Sequence, residues 1–269
     1  MTQPEEKEGL MSLNVSVLIL AKNEEKNIEA CIRSASFAGE VLVIDDFSTD
    51  RTAELARSLG ARVLTRALDG NWGAQQTYAI EQAQCDWVYF LDADERISPK
   101  LAECIRKVVT EDDRRYVYFN GRLNYFWEQP LRHGGWFPGY GLHLAPKKGT
   151  SVTGFVHPTI CHSYKIRKFP SDAYLVHYPY RDWEHHLNKL NFYTTLAAKK
   201  RYQEGYRAHM FDVILRPIWA SFRMYFLRGG FLDGRIGFIL ASFHFFYTME
   251  KYVKLYYIDK TNNHVGDFS

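Results

Sequence analysis

The chain has few cysteines: Cys31, Cys85, Cys104 and Cys161 are its only four, and none belongs to a CxxC pair. That argues against a disulfide framework or a zinc ribbon and for reduced thiols in a cytosolic compartment. No GxGxxG follows the first strand-like run and no GxxxxGK[ST] occurs, which disfavours a glycine-rich dinucleotide site and removes a P-loop. Histidine is missing from the first 130 residues, and the spacing of the ten that follow, His185-His186 included, matches no zinc-ligand pattern. Net charge is slight. At +3 it gives no argument for nucleic acid as a partner. Long apolar runs are missing too: the uncharged stretch Ile236 to Met249 is shorter than the roughly 20 residues that span a bilayer. The opening "MTQPEEKEGLMSLN" is acidic and polar, unlike a secretory signal, and reads as a loose lead-in over residues 1–13.

What is present is ample core material, 46% hydrophobic residues in 269, laid out as alternating elements. "VSVLILA" (15–21) is a β-branched and leucine run with the pattern of a strand buried on both faces. A helix follows with Asn23 as its cap, then a break at Gly39, and "VLVIDD" (41–46) gives a second strand. A short helix capped by Ser48 or Thr49, a strand "ARVLT", a helix "NWGAQQTYAIEQA" and a strand "WVYFLD" come next. Ser98-Pro99 opens a further helix. Four strand–helix alternations predict an α/β fold with a mostly parallel sheet flanked by helices.

Ligands of such sheets bind outside the carboxyl ends of the strands. Here those ends read Lys22-Asn23-Glu24, Asp45-Asp46 and Asp92-Ala93-Asp94, three acidic or polar clusters on one crevice. Left unpaired in an apolar setting, Asp92, Asp94 and Glu95 would be costly, so a metal ion, an arginine or water must meet them. A DxD by itself is equally consistent with solvated residues at a loop start. A dehalogenase-type phosphatase fits poorly, since Arg96 stands where that motif needs Thr or Val and the motif follows the fourth strand.

The three segments "VLILAKNEEKNIEACIRSA", "VLVIDDFSTDRTAELA" and "VYFLDADERISP" closely resemble the family 2 glycosyltransferases, over roughly residues 15–110. The resemblance implies a GT-A fold, Rossmann-like, with a nucleotide-sugar and acceptor domain over 14–180. It further implies that Ala21, Asn23, Glu24, Asp45, Asp46, Gln75 and Asp92 line the nucleotide site. Asp92 and Asp94 would hold Mg²⁺ or Mn²⁺ on a diphosphate, with Asp94 counted among the catalytic residues. A divalent ion suits that step, because breaking the sugar–phosphate bond develops charge on the departing group.

From Tyr116 onward the chain turns aromatic and glycine-rich. "RHGGWFP", "GFVHPTI", "YLVHYPYRDWEHHLNKLNFYTTLAAKKR" and "GGFLDGRIGF" resemble bacterial lipopolysaccharide-core β-glucosyltransferase-type enzymes. That group usually has Asp at the position of Gly139 and Glu at the position of Pro158, the latter being its general base. Candidates for the missing base are His157, Asp172 and Asp182, with histidine best suited by its ordinary pKa. Alternatively the acceptor is already anionic, as in a polyprenyl-phosphate glycosyltransferase, or the chain is a non-catalytic sugar-nucleotide or membrane-binding module. The resemblance implies an inverting transfer from a UDP-sugar to a lipid-linked or lipopolysaccharide-core saccharide.

Residues 181–260 read as a helical aromatic and basic extension, with a short tail at 261–269. From Lys199 to Lys260 there are eleven Lys/Arg against five Asp/Glu. Arg216, Arg223, Arg228, Arg235, Lys251 and Lys254 interrupt the apolar runs, and Trp219, Tyr225 and Tyr247 suit a headgroup belt. The pattern fits an interfacial helix on the cytoplasmic face of the cell membrane, and equally a subdomain packed on the sheet or in a homo-oligomer.

Overall fold

The computed structural model describes residues 13–154, 159–179 and 183–258. His157, Pro158 and Asp182 lie outside the described residues, as do most of the lead-in and the tail. The chain divides into two compact units, Met1–Arg122 with Tyr140–His177, and Leu123–Gly139 with Tyr178–Ser269. Segment 123–139, placed by sequence within the first domain, thus belongs to the second unit.

In the first unit the elements are β1 (Leu13–Ala21), α1 (Ile28–Ser34), β2 (Ala38–Asp45), α2 (Thr52–Ser58), β3 (Arg62–Thr65), α3 (Trp72–Gln82), β4 (Trp87–Asp92), β5 (Glu95–Ile97) and α4 (Pro99–Glu111). Then β6 (Tyr116–Phe126) runs into the second unit, where Tyr125 and Phe126 pair with β7 (Gln129–Pro130). The first unit resumes with β8 (Gly141–Pro146), β9 (Ser151–Thr153), β10 (Thr159–Cys161), β11 (Lys165–Lys168) and β12 (Tyr174–His177). The sheet order is β3-β2-β1-β4-β8-β6-β12-β5, with β11 beside β6. The four strands β3, β2, β1 and β4 are mutually parallel, and β8 joins β4 antiparallel.

Alternation along β1 explains its burial on both faces. Val15, Val17 and Ile19 enter one core with Ile28 and Ile32 of α1 and Leu101 and Ile105 of α4. Leu18 enters the opposite core with Leu42, Ile44, Val88 and, from α3, Ala79 and Ile80. This two-sided burial is why the strands read as uninterrupted apolar runs.

Three local expectations are revised. Gly39 does not break the chain but lies inside β2, where a Cβ would sit 2.3 Å from the Leu13 carbonyl oxygen. Glycine there permits the irregular register between Leu13 and Ser16. Asn23 does not cap α1, which starts after Asn27, and Ser48 and Thr49 do not cap α2, whose first amide at Thr52 donates to Asp50 Oδ1 at 2.9 Å. Ser98 does cap α4, its Oγ accepting from the Leu101 amide at 3.3 Å with Pro99 behind it. Ser98→Ala is expected to cost about 1 kcal/mol, read as a lower urea midpoint at unchanged m-value.

The second unit is helical: α5 (Trp183–Gln203), α6 (Met210–Phe222), a π-helical turn Arg223–Leu227, a 3₁₀ turn Gly230–Asp233 and α7 (Gly234–Tyr257). Phe126, Leu131, Met224 and Leu240 form one core, and Ala198, Tyr252 and Leu255 join α5 to α7 in another. Lys254 is consumed by that joint, donating to Asn191, Thr194 and Thr195 of α5. Among the described residues no helix is long and apolar enough to cross a membrane.

Candidate functional site

The site is built where β1, β2 and β4 stop. Ala21 is in register with Asp45, and Leu20 with Asp92, so the three strands end side by side. Asp45 and Asp92 are separated by two strand spacings, about 10 Å, the scale of a nucleoside diphosphate.

On the β1–β2 side, backbone hydrogen bonds shape a polar rim. Asn23, at φ 54°, donates its amide to Ser48 Oγ at 2.9 Å and accepts the Thr49 amide on Oδ1 at 2.9 Å. These bonds occupy the residues that sequence placed as helix caps. The Glu24 amide donates to Thr52 Oγ1, and Glu24 Oε2 accepts from Asn27. Asp45 is 3% exposed and accepts the Ser48 amide on Oδ2 at 3.1 Å. Its other oxygen, Oδ1, is buried without a hydrogen-bond partner among the described residues. An unsatisfied buried carboxylate oxygen costs roughly 1–3 kcal/mol or more, which a ligand N–H would recover. Asp46 is held by Lys22 at 2.8 Å and by the Leu68 amide at 3.0 Å. Burial pushes its carboxyl up, but those two bonds outweigh it and keep it below the usual carboxylate range. Gln75 is buried with both amide atoms engaged by Arg66, so it fixes Arg66 and offers no spare polar atom in this arrangement.

On the β4 side an arginine meets the carboxylates. Arg122, from β6, places Nε 2.5 Å from Glu95 Oε1 and Nη2 3.6 Å from Asp92 Oδ2. The first contact is a charge contact, poorly aligned for a hydrogen bond. Glu95 is fully buried and accepts the Asp92 amide at 3.0 Å, which locks the turn that carries Asp92 and Asp94. Burial, reinforced by Asp92, pushes Glu95 well above the usual carboxylate range against the pull of Arg122. His177, at the end of β12, lies with Nε2 3.5 Å from Asp94 Oδ2. The β12–β5 pairing, His177 opposite Glu95, brings it there.

Behind these groups sits His143 of β8, whose Nδ1 donates to the Phe90 carbonyl at 2.9 Å while its ring stacks on Tyr89. Burial, with Arg122 nearby, lowers its pKa to about 4, so it is neutral at physiological pH.

The structure therefore gathers Ala21, Asn23, Glu24, Asp45 and Asp46 at one end of the crevice and Asp92 and Asp94 at the other. Asp172 is not among them: it is exposed in the turn before β12, at the opposite end of that strand from His177. Arg122 and His177 were missed by sequence reasoning. Their signals were a lone arginine within the apolar strand "VYFNGRLNYF" and a histidine ending "YLVH".

The family model described as Glycosyl transferase family 2 matches residues 16–175, a span that contains these groups except His177, two residues beyond its end. The chain belongs to that family. It is thus a glycosyltransferase, with a GT-A type α/β fold and a helical C-terminal region. An uncharacterized glycosyltransferase of Rickettsia prowazekii is 30% identical over 84% of this chain and 80% of its own. The lipopolysaccharide core biosynthesis glycosyltransferase LpsC of Rhizobium meliloti is 27% identical over 91% of this chain and 92% of its own. Among solved structures, S. aureus TarS 1–349 in complex with UDP-GlcNAc aligns over 94% of this chain and 93% of its own, at 14% identity and a TM-score of 0.48.

Proposed function

We propose that this family 2 glycosyltransferase is an inverting, metal-dependent enzyme that uses a nucleoside-diphosphate sugar, UDP-linked by preference. Its acceptor would be a lipid-linked or lipopolysaccharide-core saccharide at the cytoplasmic face of the membrane. LpsC supports the acceptor class by its name and by its likeness along nearly the whole chain. The observation that carries the donor reading is the shared edge of β1, β2 and β4. It offers a buried, unpartnered Asp45 oxygen at one end and Asp92 and Asp94 at the other.

Asp45 Oδ1 would accept a nucleobase N–H, and the Asn23–Thr49 rim would flank the base and ribose. A divalent cation fits the other end, because the carboxylate oxygens there suit Mg²⁺ or Mn²⁺. Asp94 and His177 would hold it, with Asp92 beside them. Among the described residues no three of His, Cys, Asp and Glu are gathered into a metal-ligand set, so diphosphate oxygens and water would supply most of the coordination. When bound, the cation supplies Lewis-acid charge for the departing diphosphate. Glu95 and Arg122 fix the Asp92–Asp94 turn, and Arg122 adds a positive charge on the same side. The acceptor hydroxyl attacks the anomeric carbon as the sugar–phosphate bond breaks, and its proton passes to a base or to solvent.

A thermal-shift panel of UDP, GDP, CDP and ADP, each with and without Mn²⁺, tests this reading. UDP with Mn²⁺ is expected to raise Tm most, by mass action on the native state. Asp45→Asn is expected to weaken UDP binding by about tenfold or more, the loss of a charge-assisted hydrogen bond. Equal shifts for all four nucleotides, or none with any, would overturn it.

A further inference from the structure

The second unit carries a cluster that the transfer chemistry leaves unused. Asp233, nearly buried, accepts three N–H groups from one neighbouring loop: the Arg132 amide at 3.4 Å, the His133 amide at 2.9 Å and His133 Nδ1 at 2.7 Å. The carboxylate thereby fixes the imidazole with its proton on Nδ1, leaving Nε2 for an outside partner. The His133 side chain is 39% exposed.

The two loops are tied further. The Gly134 amide donates to the Arg228 carbonyl at 2.9 Å, and Gln129 Nε2 donates to the Asp233 carbonyl at 2.7 Å. Gly135, at φ 87°, lies directly under the Arg228 side chain, where a Cβ would stand 2.6 Å from Nη1. The positive φ favours glycine at this position, and the Arg228 guanidinium passes close over the loop. The His133 ring edge lies beside Gly229 on the same loop as Arg228.

The arginines here are unlike Arg216, which is paired with Asp212 at 2.5 Å. Arg132, Arg223, Arg228 and Arg235 are exposed, and none has a carboxylate partner among the described residues. The loop is bordered by exposed apolar side chains. Leu227 is 62% and Leu232 61% exposed, and their sequence neighbours Phe226 and Phe231 are exposed as well. Along α6 the exposed series continues through Phe211, Ile214, Leu215, Ile218, Trp219 and Phe222. A groove of 350 Å³ between α6 and α7 is lined by Phe222, Phe226, Phe238 and Phe245. Apolar side chains flanked by unpaired cations match a surface that enters an anionic lipid interface.

We propose that the loops 132–135 and 228–233 form a binding site for the phosphomonoester headgroup of a membrane lipid. Arg228 would donate to the phosphate, and so would His133 through Nε2–H as an imidazolium whose Nδ1–H stays on Asp233, while Leu227, Leu232 and the α6 face enter the acyl region. A phosphomonoester suits the pair better than a diester, since it carries up to two negative charges and three free oxygens. The proposal rests on the membrane reading above and narrows it to a headgroup class and a face.

Co-sedimentation of the full chain with vesicles tests it, using phosphatidylcholine alone or mixed with phosphatidic acid or phosphatidylglycerol at matched surface charge. Phosphatidic acid is expected to bind about tenfold tighter than phosphatidylglycerol, the worth of one charge-assisted hydrogen bond. Arg228→Gln and His133→Asn are expected to erase that preference while keeping the weaker attraction to both anionic surfaces. His133→Asn strips Asp233 of a partner and can unfold the loop. Arg228→Gln removes a guanidinium with no partner to orphan, so it is the safer variant.

Equal affinity for the two anionic lipids in the wild-type chain overturns the headgroup site and leaves membrane binding standing. A Tm response to inorganic phosphate alone as large as that to vesicles overturns the lipid as the source. No binding to any vesicle, or self-association that hides the apolar face, overturns the membrane reading as well. The UDP–Mn²⁺ shift is independent of all these outcomes.

Discussion

Asp94→Asn is expected to lower kcat/KM for sugar transfer by about 10²–10³-fold, some 3 kcal/mol of transition-state stabilisation. The substitution keeps the shape of the side chain and removes its charge. Asp94 stands on the turn after β4, with His177 Nε2 3.5 Å from Oδ2, and its carboxylate is only partly buried. Asparagine keeps the hydrogen-bonding shape of the side chain on a partly exposed turn, so the melting temperature without nucleotide is expected to move little. The diagnostic readout is the interaction of two ligands. In the wild-type chain Mn²⁺ should strengthen the UDP-induced rise in Tm; in Asp94→Asn the UDP response should become indifferent to Mn²⁺. His177→Ala should weaken the same metal response, because the imidazole shares the proposed cation. A variant with unchanged turnover and an unchanged Mn²⁺ requirement would remove Asp94 from the metal role.

The strand ends were legible in the sequence because a parallel α/β sheet writes them locally. Each apolar run of β1, β2 and β4 ends within a residue or two of its polar cluster, and the helices between them fix the direction of return. Ser98 and Pro99 announced α4 for the same reason, since a cap acts over three residues. Arg122 and His177 were not legible because nothing local distinguishes them. Arg122 reaches Glu95 from β6, and His177 reaches Asp94 through an antiparallel pairing with the three-residue strand β5. A strand that short, embedded in "DADERISP", has no periodicity to read. The Asn23, Ser48 and Thr49 capping expectations failed for a related reason: these residues spend their polar groups on one another along the β1–β2 rim. Residues with cap chemistry serve the tertiary rim instead. In the second unit the sequence showed basic residues among aromatics but not which were committed. Lys254 and Arg216 are bonded internally, whereas Arg223, Arg228 and Arg235 are exposed with no carboxylate partner among the described residues.

Arg122→Met should destabilise the chain by about 3 kcal/mol near pH 8, or roughly 6–12 °C in Tm, because it leaves Glu95 buried without its counter-charge. Methionine keeps the length and apolar packing of the stem, so the loss is electrostatic. The pH dependence identifies the cause. Burial and Asp92 already push Glu95 well above the usual carboxylate range, with Arg122 pulling the other way. Removing Arg122 raises that pKa further. An acid whose folded pKa exceeds its unfolded value of about 4.3 binds more protons when folded, so its stabilising contribution is full at low pH. That contribution is lost as pH rises through the folded pKa. The deficit of Arg122→Met against the wild-type chain should therefore shrink as pH is lowered from 8 towards 5. Adding Glu95→Gln to Arg122→Met should recover much of the loss at pH 8, because no buried charge is then left to ionise. A deficit that stays constant across this range, or a double variant no better than the single, would show that Arg122 acts by packing alone. The Glu95–Arg122 pair would then have no part in holding the Asp92–Asp94 turn by charge.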